Sequence, residues 1–243
     1  MPHLEVCANN YTSAFAAQNG GANRVEFCEN LADGGTTPSY GQIALAKKNL
    51  TIKIYPIIRP RGGNFLYSEE EFEIMKTDIE QFKNLGCDGI VFGILTADGH
   101  IDTARCRELL ERAAPLPATF HRAFDVCADP MQALEDIIRL GFERILTSGQ
   151  KPTAIEGIDL IKSLVKKAAG RIAIMAGSGV NEQNVQQLIR ETGVQEVHST
   201  AKAVVPGGMQ FHHPDVSFSA HPREGVEYSD ENRVRKLVEL ISP

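Results

Sequence analysis

Short apolar runs alternate along the chain with longer segments in which apolar and polar residues follow a helical period. The apolar runs are bounded by Gly, Pro or Asn, which is typical of buried strands. The predicted strands are Leu4–Asn9, Arg24–Glu29, Lys53–Arg59, Gly89–Leu95, Ala118–Phe124, Arg144–Ser148, Arg171–Gly177 and Glu196–Thr200.

Signals for helix starts and ends lie between these runs. Ser68 is followed three residues later by Glu71, a capping-box spacing that predicts a helix over Glu69–Leu85. Asp129 precedes a helix-compatible proline and predicts a second N-cap, and Asn181 predicts a third, for a helix running to Arg190. Glycine closes the last turn of many helices, and the predicted helix ends are at Gly86, Gly141, Gly170 and Gly193.

Strict alternation of strands and helices predicts a parallel sheet covered by helices. Eight such repeats in 243 residues favour a closed (β/α)8 TIM barrel over an open doubly wound sheet, and no G-x-G-x-x-G motif follows the first strand. We therefore expect a single TIM-barrel domain over residues 1–243, with its core at about 4–201. A long loop over Val205–Glu227 and a last helix over Asp230–Ile241 are expected after the core.

Composition and charge exclude several classes of protein. The chain is 42% hydrophobic and carries 25 basic against 31 acidic residues, for a net charge of −6. No apolar stretch approaches the ~18 residues of a membrane span, and the acidic balance argues against a nucleic-acid partner. The start of the chain lacks the pattern of a signal peptide, and its five cysteines form no CxxC pair. A reducing cytoplasm with free thiols is the expected environment.

Polar side chains occupy strand positions that face the inside of the predicted barrel, where branched apolar residues are usual. These residues are Glu5, Arg24, Glu26, Lys53, Arg59, His121 and His198. Burying charge is costly unless the charge is paired, so this set forms ion pairs or contributes to a ligand site. Glu5–Arg24 and Glu26–Arg59 are the pairs expected from a purely structural network.

Cys7 and Cys28 share the interior face on neighbouring strands, so their sulfur atoms are expected within a few ångströms of each other. Two thiolates suit a soft monovalent metal ion, above all Cu(I). The alternative is that both are small buried apolar residues, and the pattern shows no third ligand. Sulfur atoms more than about 7 Å apart would exclude shared coordination, given metal–thiolate bonds of ~2.3 Å.

Two loops have the composition of anion sites. Gly177, Ser178 and Gly179 follow the seventh strand, where barrels commonly bind phosphate, and Ser148 lies after the sixth. Arg59 and Arg61 lie beside two glycines after the third strand. Glycine-rich loops are also simply compact turns, so this alternative stays open.

His121 is the strand residue best suited to acid–base chemistry, because histidine titrates near neutral pH and Asp125 could orient it. A single histidine on a strand is more often held in a structural hydrogen bond, so this alternative stays open. His212, His213 and His221 fall in the long loop and are predicted to be surface residues.

Seven longer motifs occur in order along the chain. They are Leu4-Glu5-Val6-Cys7, Arg24-Val25-Glu26-Phe27-Cys28, Gly34-Gly35-Thr36-Thr37-Pro38-Ser39, Arg59-Pro60-Arg61-Gly62-Gly63, Thr119-Phe120-His121-Arg122-Ala123-Phe124-Asp125, Leu146-Thr147-Ser148-Gly149 and His198-Ser199-Thr200-Ala201. Together they resemble the family of the copper homeostasis protein CutC, over about Leu4 to Ala201. The resemblance implies a cytoplasmic (β/α)8 barrel, often a homodimer, with Cu(I) ligands at the positions of Cys7 and Cys28. Asn64 departs from the family pattern, where an Asp is expected.

Two hypotheses about function therefore stand. In the first, the chain binds Cu(I) between Cys7 and Cys28. In the second, it is an enzyme that acts on a small phosphorylated or carboxylated metabolite. The candidate catalytic residues are Glu5, Glu26, His121 and Asp125, and the candidate ligand or anion contacts are Arg59, Arg61, Ser148, Gly177, Ser178, Gly179 and His198.

Overall fold

The structure, a computed structural model, describes residues 2–211, 213–216 and 225–242. Its main sheet has eight parallel strands in the order β3-β2-β1-β8-β7-β6-β5-β4. The strands are β1 His3–Ala8, β2 Arg24–Phe27, β3 Lys53–Pro56, β4 Ile90–Phe92, β5 Ala118–Phe120, β6 Arg144–Thr147, β7 Ala173–Ala176 and β8 Glu196–Ser199.

The end strands β3 and β4 meet and close the sheet into a barrel. Ile57 and Val91 form a single parallel bridge, and the Ile58 amide donates to the Val91 carbonyl at 2.7 Å. The predicted (β/α)8 barrel is confirmed.

Helices alternate with the strands and cover the outside of the barrel. They are α1 Tyr11–Asn19, α2 Tyr40–Asn49, α3 Glu69–Asn84, α4 Thr103–Ala113, α5 Pro130–Leu140, α6 Ile158–Ala168, α7 Val185–Thr192 and α8 Glu231–Ile241. Among the described residues, no helix is both long and apolar enough to cross a membrane.

Local sequence chemistry explains several helix ends. The Ser68 hydroxyl accepts from the Glu71 amide while the Glu71 carboxylate accepts from the Ser68 amide, so the predicted capping box is present. Asp129 accepts from two amides of the first turn of α5. The prediction for Asn181 was wrong, because its side chain accepts within a turn and the helix begins only at Val185.

Alternate side chains of the barrel strands point outward and pack against the helices. Leu4, Val6 and Ala8 are fully buried in the main apolar core. Lys53 begins the third strand and is exposed, so its predicted place inside the barrel was wrong. Its register partner Arg24 is buried between Glu5 and Glu196, whereas Lys53 has no carboxylate within salt-bridge distance among the described residues and stays in solvent.

Two segments differ from the predicted elements. β5 ends at Phe120, because the chain then turns into a 3-10 helix over Arg122–Val126. The His121 side chain caps this helix by accepting from the Ala123 amide. The predicted long loop after residue 205 ends in a strand, β10 Val226–Ser229, which pairs antiparallel with β9 Lys202–Val205. His213 is exposed as predicted, and His212 and His221 lie outside the described residues.

Candidate metal centre and cavity at the carboxyl ends of the strands

Strand register brings the polar interior residues together on β1, β2 and β8. Glu5 lies beside Arg24 on β2 and beside His198 on β8. Its carboxylate pairs with the Arg24 guanidinium and lies 2.8 Å from His198 Nδ1. Burial alone would raise the pKa of Glu5, but Arg24 and His198 lower it to about 2. The predicted Glu5–Arg24 pair is present, and it includes a histidine that the pattern did not pair.

The network continues through Glu196, which holds two arginines. One carboxylate oxygen lies 2.7 Å from Arg24 Nη2 and 2.9 Å from Arg144 Nε. Arg144 also donates to Thr119 Oγ1 at 3.1 Å. Our sequence reasoning missed Arg144, although the alternation rule places it on the same face of β6 as Leu146, which lines the cavity described below.

The predicted Glu26–Arg59 pair is absent, and that prediction was wrong. Glu26 Oε2 lies 3.5 Å from His198 Nε2. Arg59 instead donates to the carbonyl oxygens of Asp33, Gly35 and Gly63. The reason is geometric: Arg59 lies beyond the last residue of β3, where backbone carbonyls of the neighbouring loops are nearer than the interior carboxylates.

The sulfur atoms of Cys7 and Cys28 lie 3.5 Å apart. Both thiols are buried, with 6% and 1% of each residue exposed. Gly35 closes over Cys28: a Cβ there would lie 3.3 Å from Cys28 Cβ, and its φ of +88° is one that side-chain-bearing residues rarely adopt. The distance is well inside the limit of about 7 Å for shared coordination.

A third and a fourth ligand-type group lie next to Cys7. One ligand atom each from Cys7, Glu26 and His198 lies within 4.8 Å of the other two. Cys7 and Glu26 are register partners on β1 and β2, whereas His198 reaches the cluster from β8. The expectation that no third ligand is present was wrong, because β8 becomes a neighbour of β1 only when the barrel closes.

Two groups of this cluster, Cys7 and His198, have pKa values above their ordinary values. The hydrogen bond with Cys28, together with burial, raises the pKa of the Cys7 thiol well above its ordinary value. Burial would lower the pKa of His198, but hydrogen bonds with Cys7 and Glu5 and the charge of Glu26 raise it well above the ordinary value. His198 lies between the carboxyl groups of Glu5 and Glu26, and burial raises the pKa of Glu26.

A cavity of about 370 Å³ opens above this cluster at the carboxyl ends of the strands. Among the predicted site residues, those that line it are Cys7, Glu26, Arg59, His121, Ser178, Gly179 and His198. Those that the structure places behind or beside its wall are Glu5, Cys28, Arg61, Asp125, Ser148 and Gly177.

The structure does not bring Asp125 to His121. The Asp125 carboxylate accepts from Thr147 Oγ1, the Ser148 amide and hydroxyl, and Arg122. These bonds fix the turn after β5 to the end of β6. The single hydroxyl proton of Ser148 is shared between the Asp125 carboxylate and the Lys151 carbonyl, both within hydrogen-bond distance.

Two further predicted residues support loops around the cavity. Arg61 pairs with Glu71 at 2.5 Å and donates to the Asn64 carbonyl, so its charge is neutralised away from the cavity. Asn64 Oδ1 accepts weakly from the same guanidinium at 3.3 Å. Gly177 allows close packing, because a Cβ there would lie 2.5 Å from Leu146 Cδ1 and 3.2 Å from His198 Cβ.

Comparisons with known proteins identify the family of the chain. Residues 2–203 match the CutC family. A mouse protein named copper homeostasis protein cutC homolog is 46% identical, over 96% of this chain and 87% of the mouse protein. A CutC family protein of Bacteroides fragilis is 53% identical, over 88% of this chain and 86% of the relative. A crystal structure of a CutC protein from Streptococcus agalactiae aligns with a TM-score of 0.79 and 43% identity, over 82% of this chain and 99% of that one. The chain belongs to the CutC family.

Proposed function

We propose that the protein binds Cu(I) between Cys7 and Cys28, with His198 as the third ligand. The observation that supports this most is the 3.5 Å separation of two buried sulfur atoms, one of which, that of Cys7, belongs to a residue lining the cavity. Thiolate is the ligand type that selects Cu(I), and a dry thiol pair disfavours the hard cations that prefer oxygen.

The sulfur separation favours three ligands over two. A linear dithiolate needs sulfur atoms ~4.6 Å apart, twice the ~2.3 Å metal–thiolate bond, whereas a trigonal centre needs only ~4.0 Å. The observed 3.5 Å is nearer the trigonal value. His198 contacts the Cys7 thiol, and Glu5 holds Nδ1 at 2.8 Å, an arrangement that fixes the orientation and tautomer of metal-binding histidines.

Copper uptake exchanges one cation for protons. Each thiol releases a proton as it becomes a thiolate ligand, and the His198 imidazolium releases the proton on Nε2. Glu26 lies 3.5 Å from that nitrogen and can accept this proton. Glu5 keeps its hydrogen bond to Nδ1 throughout.

The names of the relatives are consistent with this proposal, because the mouse protein is called a copper homeostasis protein. A role in copper homeostasis in the cytoplasm, carried out by a homodimer, belongs to the same proposal.

The test is an anaerobic Cu(I) titration in competition with a chromogenic Cu(I) chelator. We expect one Cu(I) per chain in the unaltered protein and none that resists the chelator in the Cys7→Ser/Cys28→Ser protein. X-ray absorption of the loaded protein should show two sulfur ligands and one nitrogen ligand. Cys87→Ser is the matched control, since Cys87 is equally buried and lies outside the cluster. Undiminished uptake by the double variant would refute the proposal.

A further inference from the structure

The cavity is much larger than a single metal ion requires. Its volume of about 370 Å³ is within the ~300–1,000 Å³ of small-molecule sites. The copper cluster occupies only the floor. The walls are formed by residues that follow β3, β5, β7 and β8, and none of these has a role in holding copper.

Arg59 lines this cavity with a buried positive charge that no carboxylate of the described residues neutralises. Only 4% of the residue is exposed, and among residues 2–211, 213–216 and 225–242 it forms no ion pair. Two of its guanidinium nitrogens donate to backbone carbonyls, while Nε has no hydrogen-bond partner. An arginine that is buried without a counterion is costly, unless a ligand supplies the negative charge.

His121 provides a second unused donor beside Arg59. Its Nδ1 accepts from the Ala123 amide at 3.3 Å, so the neutral ring carries its proton on Nε2. That nitrogen is buried and has no partner in the described structure. The Phe65 ring packs against both groups, 4.9 Å from the Arg59 guanidinium and 4.9 Å from the His121 ring. The two donors are therefore held in place before any ligand arrives.

The opposite wall offers backbone amides. Ser178 and Gly179 have φ values of 78° and 70°, and within the described part of the chain neither amide donates a hydrogen bond. They follow β7, the position at which many barrels of this type bind phosphate. The Ser178 hydroxyl is already used, because it donates to the Pro152 carbonyl at 2.8 Å.

We propose that the cavity binds a small metabolite with an oxyanion, carboxylate or phosphate, that pairs with Arg59 and accepts a hydrogen bond from His121 Nε2. A second polar group of the same molecule meets the amides of Ser178 and Gly179. The ligand binds above the copper cluster and contacts Cys7 at the cavity floor. This assigns to one occupant the unmatched charge of Arg59 and the two unpartnered donors, Arg59 Nε and His121 Nε2, that belong to residues lining the cavity.

The test measures binding of three probes by calorimetry near neutral pH and low salt: acetate, inorganic phosphate and phosphoglycolate, which carries both groups. We expect saturable binding of phosphoglycolate, and the stronger of the two simple ions identifies the oxyanion that Arg59 prefers. Arg59→Gln and His121→Leu should each weaken it about tenfold or more, because each removes a buried donor to a charged group. Arg171→Gln is the control, as Arg171 pairs with Glu135 outside the cavity.

Two measurements on proteins with Arg59 intact guard against a folding defect in Arg59→Gln. Phosphoglycolate should shift the His121 Nε2 resonance in a spectrum of nitrogen-15-labelled histidine, and it should slow alkylation of Cys7. The Cys7→Ser/Cys28→Ser protein should still bind the probe, which separates this site from copper binding. The proposal is overturned if no probe binds at concentrations up to about 10 mM, above the usual range of metabolite affinities. It is equally overturned if Arg59→Gln and His121→Leu bind as tightly as the control.

Discussion

His121 shows how burial and a neighbouring positive charge together set the protonation of a residue. Burial, followed by the positive charge of Arg59, lowers the pKa of His121 to about 3 from its ordinary value of 6.5. The folded protein therefore holds a neutral imidazole at every physiological pH. A neutral ring can donate from Nε2 without adding a second positive charge beside Arg59.

This pKa gives the first prediction, for stability as a function of pH. Below pH 6.5 the unfolded chain takes up a proton that folded His121 excludes, so the free energy of unfolding falls as pH decreases from 6.5 toward 3. Down to about pH 5 this residue removes roughly 2 kcal/mol. His121→Gln should lose about 2 kcal/mol less than the unaltered protein between pH 7.5 and 5, as measured by urea unfolding.

The comparison uses the change with pH and not the absolute stability, because the substitution itself alters packing against Phe65. Other titrating groups, including His198, contribute equally to both proteins and cancel. If both proteins lost the same stability over this range, His121 would not be a buried neutral group.

Residue-level prediction succeeded where the alternation of a single strand decides the outcome. Glu5, Arg24 and both cysteines were expected inside the barrel because of their parity, and they are there. The partners of Glu26 and Arg59 were wrong, since a partner depends on distances between strands and loops that periodicity does not contain. His198 was correctly assigned to the interior. Its contact with Cys7 could not be predicted, because β8 lies beside β1 only in the closed barrel.

At the scale of elements, α5 shows a helix start that the sequence determines locally. The Asp129 carboxylate accepts from the amides of Met131 and Gln132, and Pro130 occupies the first turn, where its missing N–H is not needed. The helix then runs to Leu140 and ends at Gly141, whose φ is 91°.

The second prediction concerns this cap. Asp129→Ala should lower the free energy of unfolding by about 1 kcal/mol, because two amides lose their acceptor. Asp129→Asn is the matched control and should cost much less, since its side-chain oxygen still accepts. Thermal or urea unfolding measures both. Equal losses in the two variants would show that charge, and not the hydrogen bonds, provides the stabilisation.

Elements were predicted best where such signals are local and worst after residue 201. The strand pair β9 and β10 joins residues that are far apart in sequence, through a segment rich in Gly, Pro and His that was predicted to be a loop. β9 is largely exposed, and the burial of β10 increases steadily from Val226 to Ser229, so neither strand shows the alternation of a half-buried strand. By contrast, the start of α8 after Asp230 was correct because Asp230 accepts from the Arg233 amide as an N-cap.

At the scale of the whole molecule, the barrel has one weak seam. The other strand pairs share ladders of register partners, whereas β3 and β4 join through the single Ile57–Val91 bridge. Outside that bridge, the Asp88 amide donates to the Ile54 carbonyl at 3.0 Å. Cys7, Glu26 and His198 lie on β1, β2 and β8, where the β1–β2 and β1–β8 ladders each have four register pairs. The seam joins β3 and β4, two strands that carry none of these residues.

The third prediction follows from that asymmetry. Local opening requires the least free energy where the fewest hydrogen bonds must break together, so the barrel should open first between β3 and β4. Residue-resolved hydrogen exchange should therefore show faster exchange at the Ile58 and Asp88 amides than at those of His3 and Cys28, which donate across β8–β1 and β1–β2. All four amides donate to backbone carbonyls of a neighbouring strand or its flank, so the comparison isolates the seam.

Loading Cu(I) should slow exchange at Cys28 and leave Ile58 unchanged, because a ligand protects only openings that disrupt its own site. Equal protection of all four amides would mean that the barrel opens only as one cooperative unit.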